Sequence, residues 1–193
     1  AGKVASGGQV PFAPGRGPRR IENATELLAA LESSDAYTGV VFVCLPTPMR
    51  RTGECDVSIV QGVLDELARA PAFDGQRAVP LPRVAVVKST VPPGTCEAWN
   101  ERYASTPLRV VFNPEFLTEA NALRDFEQQD RIIVGGPRPC TDAVKQVYEA
   151  AFTGVPIIKT SSTIAETVKY MTNAFLSVKV AFANEMRQVC DAV

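Results

Sequence analysis

This chain of 193 residues contains no histidine, so any proton chemistry it performs must run on carboxylate, lysine, amide, hydroxyl or thiol groups. Such groups collect in three short loops, each following an apolar run: Leu45-Pro46-Thr47-Pro48, Lys88-Ser89-Thr90-Val91-Pro92-Pro93-Gly94-Thr95 and Asn113-Pro114-Glu115-Phe116-Leu117. Proline holds φ near about −65° and pushes the preceding residue into extended geometry, so each loop is a stiff bracket for its hydroxyl, amide or carboxylate. Stiff polar brackets beside a sheet are where small ligands bind. Each bracket also has a plainer reading: Pro46-Thr47-Pro48 as a strand terminator, Ser89-Thr90 as caps of the next turn, Asn113-Pro114-Glu115 as an Asx-type turn.

The elements that must position these loops follow from apolar periodicity. Val40 to Leu45, Arg83 to Val87, Arg109 to Phe112, Arg131 to Val134 and Val155 to Ile158 are β-branched runs, too continuous in apolar character for one face to be solvated. Parallel strands covered on both sides read this way. Helical stretches alternate with them at about 24–34 (capped by Asn23 or Thr25), 57–70, 95–104 and 141–152, the last opened by Thr141-Asp142. The repeated βα pattern predicts an α/β, doubly wound, Rossmann-like, mostly parallel sheet. Residues 1–20, rich in Gly, Pro and Arg, read as a flexible lead-in.

From Thr163 to Val193 there is neither Gly nor Pro, which predicts one long helix. Thr163-x-x-Glu166 fits a capping box, leaving Glu166 the role of a helix cap. Ile164, Val168, Met171, Phe175, Val178, Phe182, Met186 and Val189 form a stripe expected to face the core, with Lys169, Asn173, Val180 and Asn184 opposite. Lys169 and Asn173, one turn apart, could serve a site together; Lys169 could equally be an ordinary solvated lysine.

Composition bounds the function. With 46% hydrophobic residues and a net charge of −1, the chain can bury one core and carries no basic footprint, so nucleic acid is not an expected partner. No apolar run approaches the ~18 residues of a membrane span, and a cytoplasmic setting is expected. Five widely spaced cysteines without a Cys-x-x-Cys argue against a disulfide framework and a zinc site; no metal is expected. Cys44 and Cys190 read as small buried hydrophobes rather than nucleophiles.

The order and spacing of five motifs add a family reading. Val43-Cys44-Leu45-Pro46-Thr47-Pro48-Met49, Val87 to Thr95, Phe112-Asn113-Pro114-Glu115-Phe116-Leu117-Thr118-Glu119, Asp130 to Gly135 and Ala165-Glu166-x-x-Lys169-Tyr170-x-x-Asn173-Ala174-Phe175-Leu176 resemble the nucleotide-sugar dehydrogenases, and among them those that oxidise UDP-glucose. A weaker likeness reaches back to Val10-Pro11-Phe12-x-Pro14-Gly15, where Ala13 stands in the place of an acidic residue of the family.

The resemblance implies NAD as cofactor, UDP-glucose as the first candidate substrate, and a two-step oxidation of a sugar primary alcohol to a carboxylate through a cysteine-bound intermediate. It gives Thr90 and Glu115 the task of positioning and deprotonating water or the alcohol, and Lys169 and Asn173 that of stabilising the oxyanion. Thr47, Ser89 and Thr90 would flank the nicotinamide side of the cofactor. Phe116, Leu117 and Glu119, with Lys169 and Asn173, would line the nucleotide-sugar site.

Two family features are absent from the sequence: a Gly-x-Gly-x-x-Gly after an early strand, and a Gly-rich motif around a nucleophilic cysteine, which Cys190 does not match. The expectation is therefore a partial NAD-binding domain over 1–160, lacking its first βαβ elements, and a helix over 161–193 leading to a substrate and dimerisation domain outside the chain. Such a piece would be incomplete for catalysis; a non-catalytic scaffold subunit of the same descent is the alternative. Val40 to Leu45 would then lie at an unpaired apolar edge, so homo-oligomerisation or pairing through that edge is expected.

Overall fold

The computed structural model describes residues 39–69 and 83–193, with the side chain of Glu119 left out. The lead-in at 1–20, the helix expected at 24–34 and the Val10 to Gly15 likeness lie outside the described residues.

Five strands form one sheet: β1 (Val40–Val43), β2 (Arg83–Val87), β3 (Leu108–Phe112), β4 (Ile132–Gly135) and β5 (Ile157–Thr160), in the order β1-β2-β3-β4-β5. β1, β2 and β3 run parallel with Val43 beside Val87 and Val87 beside Phe112, and β4 and β5 run parallel. β4 meets β3 antiparallel, at Phe112 and Gly135. The sheet is thus mostly parallel, as the apolar runs predict.

Helices cover both faces. Alternation along β2 decides the sides: Ala85 and Val87 join Leu108, Val110 and Phe112 in a core under α1 (Ser58–Arg69) and α2 (Thr95–Arg102), through Leu64, Leu67, Cys96, Trp99 and Tyr103. Val84 and Val86 join Val111, Ile132 and Val134 on the other face, under Val144 and Tyr148 of α4 (Cys140–Ala151). β1 and β5 are only half-buried, because among the described residues each has one strand neighbour. A short helix that periodicity misses, α3 (Ala122–Glu127), follows a 3-10 turn at Glu119–Asn121 and buries no residue.

The last helix, α5 (Ser162–Asp191), runs for 30 residues, ~45 Å at 1.5 Å per residue. Its relation to the domain overturns two expectations. The apolar stripe does not face the core: Met171, Phe175, Val178, Phe182 and Val189 are each more than half exposed. The face packed on the sheet is instead Ser162, Ala165, Glu166 and Lys169, with Val168 at its margin. Spacing reports that a helix has an apolar face, but not which of its faces a neighbour covers.

Glu166 is not the cap of its own helix. Ser161 is the N-cap, its hydroxyl accepting the Ile164 amide. Glu166 is wholly buried and reaches across to α2, accepting the Gly94 amide at 2.6 Å and the Cys96 amide at 2.8 Å. The carboxylate sits where a helix N-terminus attracts an anion. Close packing of α5 on β4 depends on Gly135, where a Cβ would lie 2.6 Å from Ala165 Cβ and 2.7 Å from the Ser161 carbonyl oxygen.

Candidate active site

All three brackets lie beyond the carboxyl ends of the adjacent parallel strands β1, β2 and β3, and each is held by the others. The Leu45 amide donates to Ser89 Oγ at 2.9 Å and Thr47 Oγ1 donates to the Thr90 carbonyl at 2.8 Å, which ties the β1 loop to the β2 loop. Cys55 adds a thiol contact to the Thr47 and Thr90 carbonyls, and Tyr170 of α5 hydrogen-bonds with Cys55 while burial pushes the tyrosine hydroxyl up. The capping alternative for Ser89-Thr90 does not hold. Helix α2 is capped by Gly94 at φ 90°, without a side-chain cap from Ser89 or Thr90.

Nor is Asn113 the head of an Asx turn. It is buried, donates through Nδ2 to the Ile133 carbonyl at 2.7 Å, and accepts at Oδ1 from Lys88 Nζ at 2.9 Å and from the Tyr148 hydroxyl. That one amide joins β2, β3, β4 and α4 immediately before Pro114. Burial pushes the Tyr148 hydroxyl far above its ordinary value, so it stays protonated and can donate.

Glu115 is the turning point of the site. Lys169, buried rather than solvated, donates through Nζ to the Glu115 carbonyl at 2.5 Å and to Oε1 at 3.1 Å. The Leu117 amide donates to Oε2 at 3.0 Å. Burial pushes the Glu115 carboxyl up, but the Leu117 amide and the Lys169 and Lys88 ammoniums outweigh it and hold the carboxyl below its ordinary value. Glu115 is therefore a carboxylate at neutral pH.

A cleft of about 420 Å³ opens here, lined by Lys88, Glu115, Phe116 and Leu117 and, across from them, by Arg124, Asp125, Phe126 and Arg131. Phe116 is flanked by two cations, Arg131 with Cζ 5.0 Å from the ring centroid and Lys169 with Nζ 5.7 Å away. Asp125 is turned back on the loop, accepting from the Thr118 amide and hydroxyl.

Of the residues the sequence singles out, Glu115 and Lys169 are in direct contact, and Phe116 and Leu117 line the same cleft. Thr90 lies on the neighbouring loop; its hydroxyl has no hydrogen-bond partner among the described residues. Asn173 is exposed one turn beyond Lys169, and its side chain likewise has none. The side chain of Glu119 lies outside the described residues. Cys44, just past β1, and Cys190 are both exposed, not the buried hydrophobes expected; partial burial still pushes the Cys44 thiol up against the pull of Lys88. No cluster that could hold a metal occurs among the described residues.

Two contributors carry no distinctive spacing. Lys88 stands in a quoted motif without a role, and Arg131 reads only as the start of a strand; both line the cleft. A charged residue directly after, or directly before, an otherwise apolar strand is the signal that would find them, because its position forces it to the sheet's polar rim.

A doubly wound sheet whose polar loops gather beyond the carboxyl ends of its strands defines a dinucleotide-binding α/β domain. The chain belongs to the UDP-glucose/GDP-mannose dehydrogenase family: residues 16–152 match the model of that family's NAD binding domain, and residues 163–193 that of its central domain. It is 33% identical over 165 residues to the UDP-glucose 6-dehydrogenase of Rickettsia conorii, covering 84% of this chain and 35% of that protein. The UDP-glucose 6-dehydrogenase of Rhizobium meliloti is 33% identical over 184 residues, 90% of this chain and 39% of the relative.

Among solved structures, a UDP-glucose dehydrogenase from Pyrobaculum islandicum superposes with a TM-score of 0.68 at 33% identity, covering 83% of this chain and 36% of the other. A GDP-mannose dehydrogenase from Pseudomonas aeruginosa gives 0.68 at 29% identity, covering 84% and 37%. The chain thus spans little more than a third of the length of the proteins it matches.

NAD is the cofactor of the domain that this family model describes, and two hydroxyls of the site keep hydrogen-bonding capacity that such a ligand could use. Ser89 Oγ accepts from Leu45 and keeps its proton to donate, whereas Thr47 Oγ1 donates to Thr90 and keeps lone pairs to accept. One donor and one acceptor are what a carboxamide, the polar group of the nicotinamide, would need. The groups that would hold the pyrophosphate are not among the described residues.

Proposed function

We propose that the chain is part of an NAD-dependent UDP-glucose 6-dehydrogenase, an oxidoreductase that converts the sugar's primary alcohol to a carboxylate in two steps. The single observation that carries this reading is the buried Lys169 ammonium held on both the carbonyl and the carboxylate of Glu115, which lines the cleft. Family membership supports the reaction class, and the names of the relatives support the sugar.

In this reading Glu115, ionised and partly shielded, takes the proton of the substrate alcohol or of the hydrolytic water. Lys169 keeps that carboxylate aimed and, as the charge moves from Glu115 to the substrate oxygen, turns its donors toward the alkoxide; the Asn173 amide adds a neutral donor one turn on. The Thr90 hydroxyl, which has no hydrogen-bond partner among the described residues, orients the reacting oxygen. Phe116 and Leu117 line the sugar-nucleotide side, the side to which the resemblance also assigns Glu119. Thr47, Ser89 and Thr90 would hold the nicotinamide carboxamide; NAD, when bound, supplies the hydride acceptor.

The division of labour along the chain follows: residues 1–160 belong to the cofactor domain, and 161–193 carry the helix toward the substrate and dimerisation domain. The exposed stripe of α5 and β1, at the edge of the sheet among the described residues, both favour a homo-oligomer. No described helix is long and apolar enough to cross a membrane, and a cytoplasmic enzyme is the setting that suits a nucleotide-sugar substrate.

Isothermal titration of the chain with UDP-glucose and with NAD tests the reading. Heat of binding with UDP-glucose at roughly micromolar affinity is the expected result. Silence with both ligands would contradict it and favour a scaffold subunit that has kept the loops as architecture.

A further inference from the structure

Lys88 is a charged group of this cleft, beside Glu115, to which the family reading gives no task. It continues β2 past Val87, and its amide donates to the Val43 carbonyl, so its backbone is fixed by β1. Its side chain is half-buried and lines the cleft beside Glu115. An ammonium has three N–H donors; Lys88 Nζ uses one, on Asn113 Oδ1 at 2.9 Å, and has no other hydrogen-bond partner among the described residues. Asn113 Oδ1 cannot take over more of the charge, because the Tyr148 hydroxyl already donates to it.

Charge points the same way. Four titratable groups meet here from four elements: Cys44 after β1, Lys88 after β2, Glu115 after β3 and Lys169 on α5. Partial burial pushes the Cys44 thiol up, so among the described residues that meet here two ammoniums face one carboxylate and one positive charge has no counter-charge. Burial is the main influence pulling the Lys88 ammonium below its ordinary value; Cys44 and Glu115 oppose it and Lys169 adds to it. A half-buried cation with free donors is costly unless a ligand completes its shell.

We infer that Lys88 is a substrate-binding residue: its two free N–H donors take an oxygen of the sugar beside the carbon that reacts, so that Lys88 and Lys169 grip the substrate from opposite flanks of Glu115. The inference rests on the reading of this cleft as a sugar-nucleotide site and adds to it a residue and a contact. A neutral sugar hydroxyl meets one such donor as an ordinary hydrogen bond, and an alkoxide or the carboxylate product meets it as a charge-assisted one. Lys88 therefore grips the late, more negative oxygen more tightly than the starting alcohol.

The test is titration of UDP-glucose and of glucuronate-bearing UDP into the chain, with NAD as the control, for the wild type, K88Q and K88M. K88Q keeps a donor for Asn113 while removing the charge, so it decides the matter if K88M does not fold. The expected result is a loss of roughly tenfold or more in affinity for both sugar nucleotides, larger for the carboxylate form, with NAD affinity unchanged. Wild-type affinity retained by K88Q would overturn the inference. So would an equal loss for NAD and the sugars, which marks Lys88 as merely structural. If the wild type itself ignores both sugars while binding NAD, the sugar reading of the cleft fails first and the contact fails with it, a pattern distinct from the other two.

Discussion

Glu166 Oε2 accepts the backbone amide of Gly94 at 2.6 Å across 72 residues of chain, from a side chain with no exposed surface. The same carboxylate takes the Cys96 amide at 2.8 Å, so the first turn of α2 is anchored to α5 three residues before Lys169. The loop that carries Thr90 is thereby fixed at both ends, by Glu166 behind Pro93 and by Thr47 and Cys55 at Thr90 itself. One buried carboxylate sets the register between the loop bearing Thr90 and the helix bearing Lys169.

Removing that anchor should be costly. E166A leaves one buried and one partly buried amide without acceptors, and a loss of about 2–4 kcal/mol is expected, read from the denaturant midpoint. E166Q retains one acceptor and should lose less. An E166A midpoint indistinguishable from wild type would mean that the carboxylate is not what ties α5 to α2.

Gly135 offers an independent test of the same packing. A methyl group there meets backbone at Ser161 as well as Ala165, neither of which is a flexible side-chain end. G135A should destabilise by roughly 1–3 kcal/mol, and displacement of α5 should weaken the Lys169 to Glu115 contact. Unchanged thermal unfolding would show that the helix shifts freely on β4.

Protonation of Glu115 should separate the site from the rest of the fold. Its carboxyl is held below the ordinary value of 4.5, and a lowered folded-state value means that its contribution to stability is complete above that ordinary value. The contribution is lost only as pH falls through the lower, folded value. A carboxyl-carbon NMR titration should place the Glu115 midpoint below 4.5, and K169M should raise it; a midpoint at or above 4.5 would contradict the pairing.

Much of this was legible from residue order alone, for identifiable reasons. Continuous β-branched runs place all five strands to within two residues at each end, because a strand buried on both faces has no polar alternation to confuse. Proline brackets mark the site because they fix backbone geometry locally. Lys169 and Asn173 were separable from the apolar stripe by helical angle, and the structure puts Lys169 on Glu115. What failed were questions of partnership. The stripe from Met171 to Val189 and the face from Ser162 to Lys169 are both regular, and only tertiary contact shows that the domain covers the less apolar one. Glu166 three residues after Thr163 fits a capping box, yet its carboxylate lies on α2, since local spacing does not register an orphan amide 72 residues away. Cys44 follows an apolar strand but emerges beyond it, at the polar rim. Lys88 and Arg131 belong to no short-range pattern because their partners come from other strands.

The central claim is that Glu115, held by Lys169 at the cleft, moves the proton in a sugar oxidation. NADH formation from UDP-glucose by the protein carrying these 193 residues, wild type against E115Q, tests it most directly. The account predicts a fall in kcat of roughly 10²–10⁴-fold with KM changed little, whereas E115Q turning over at the wild-type rate would contradict it.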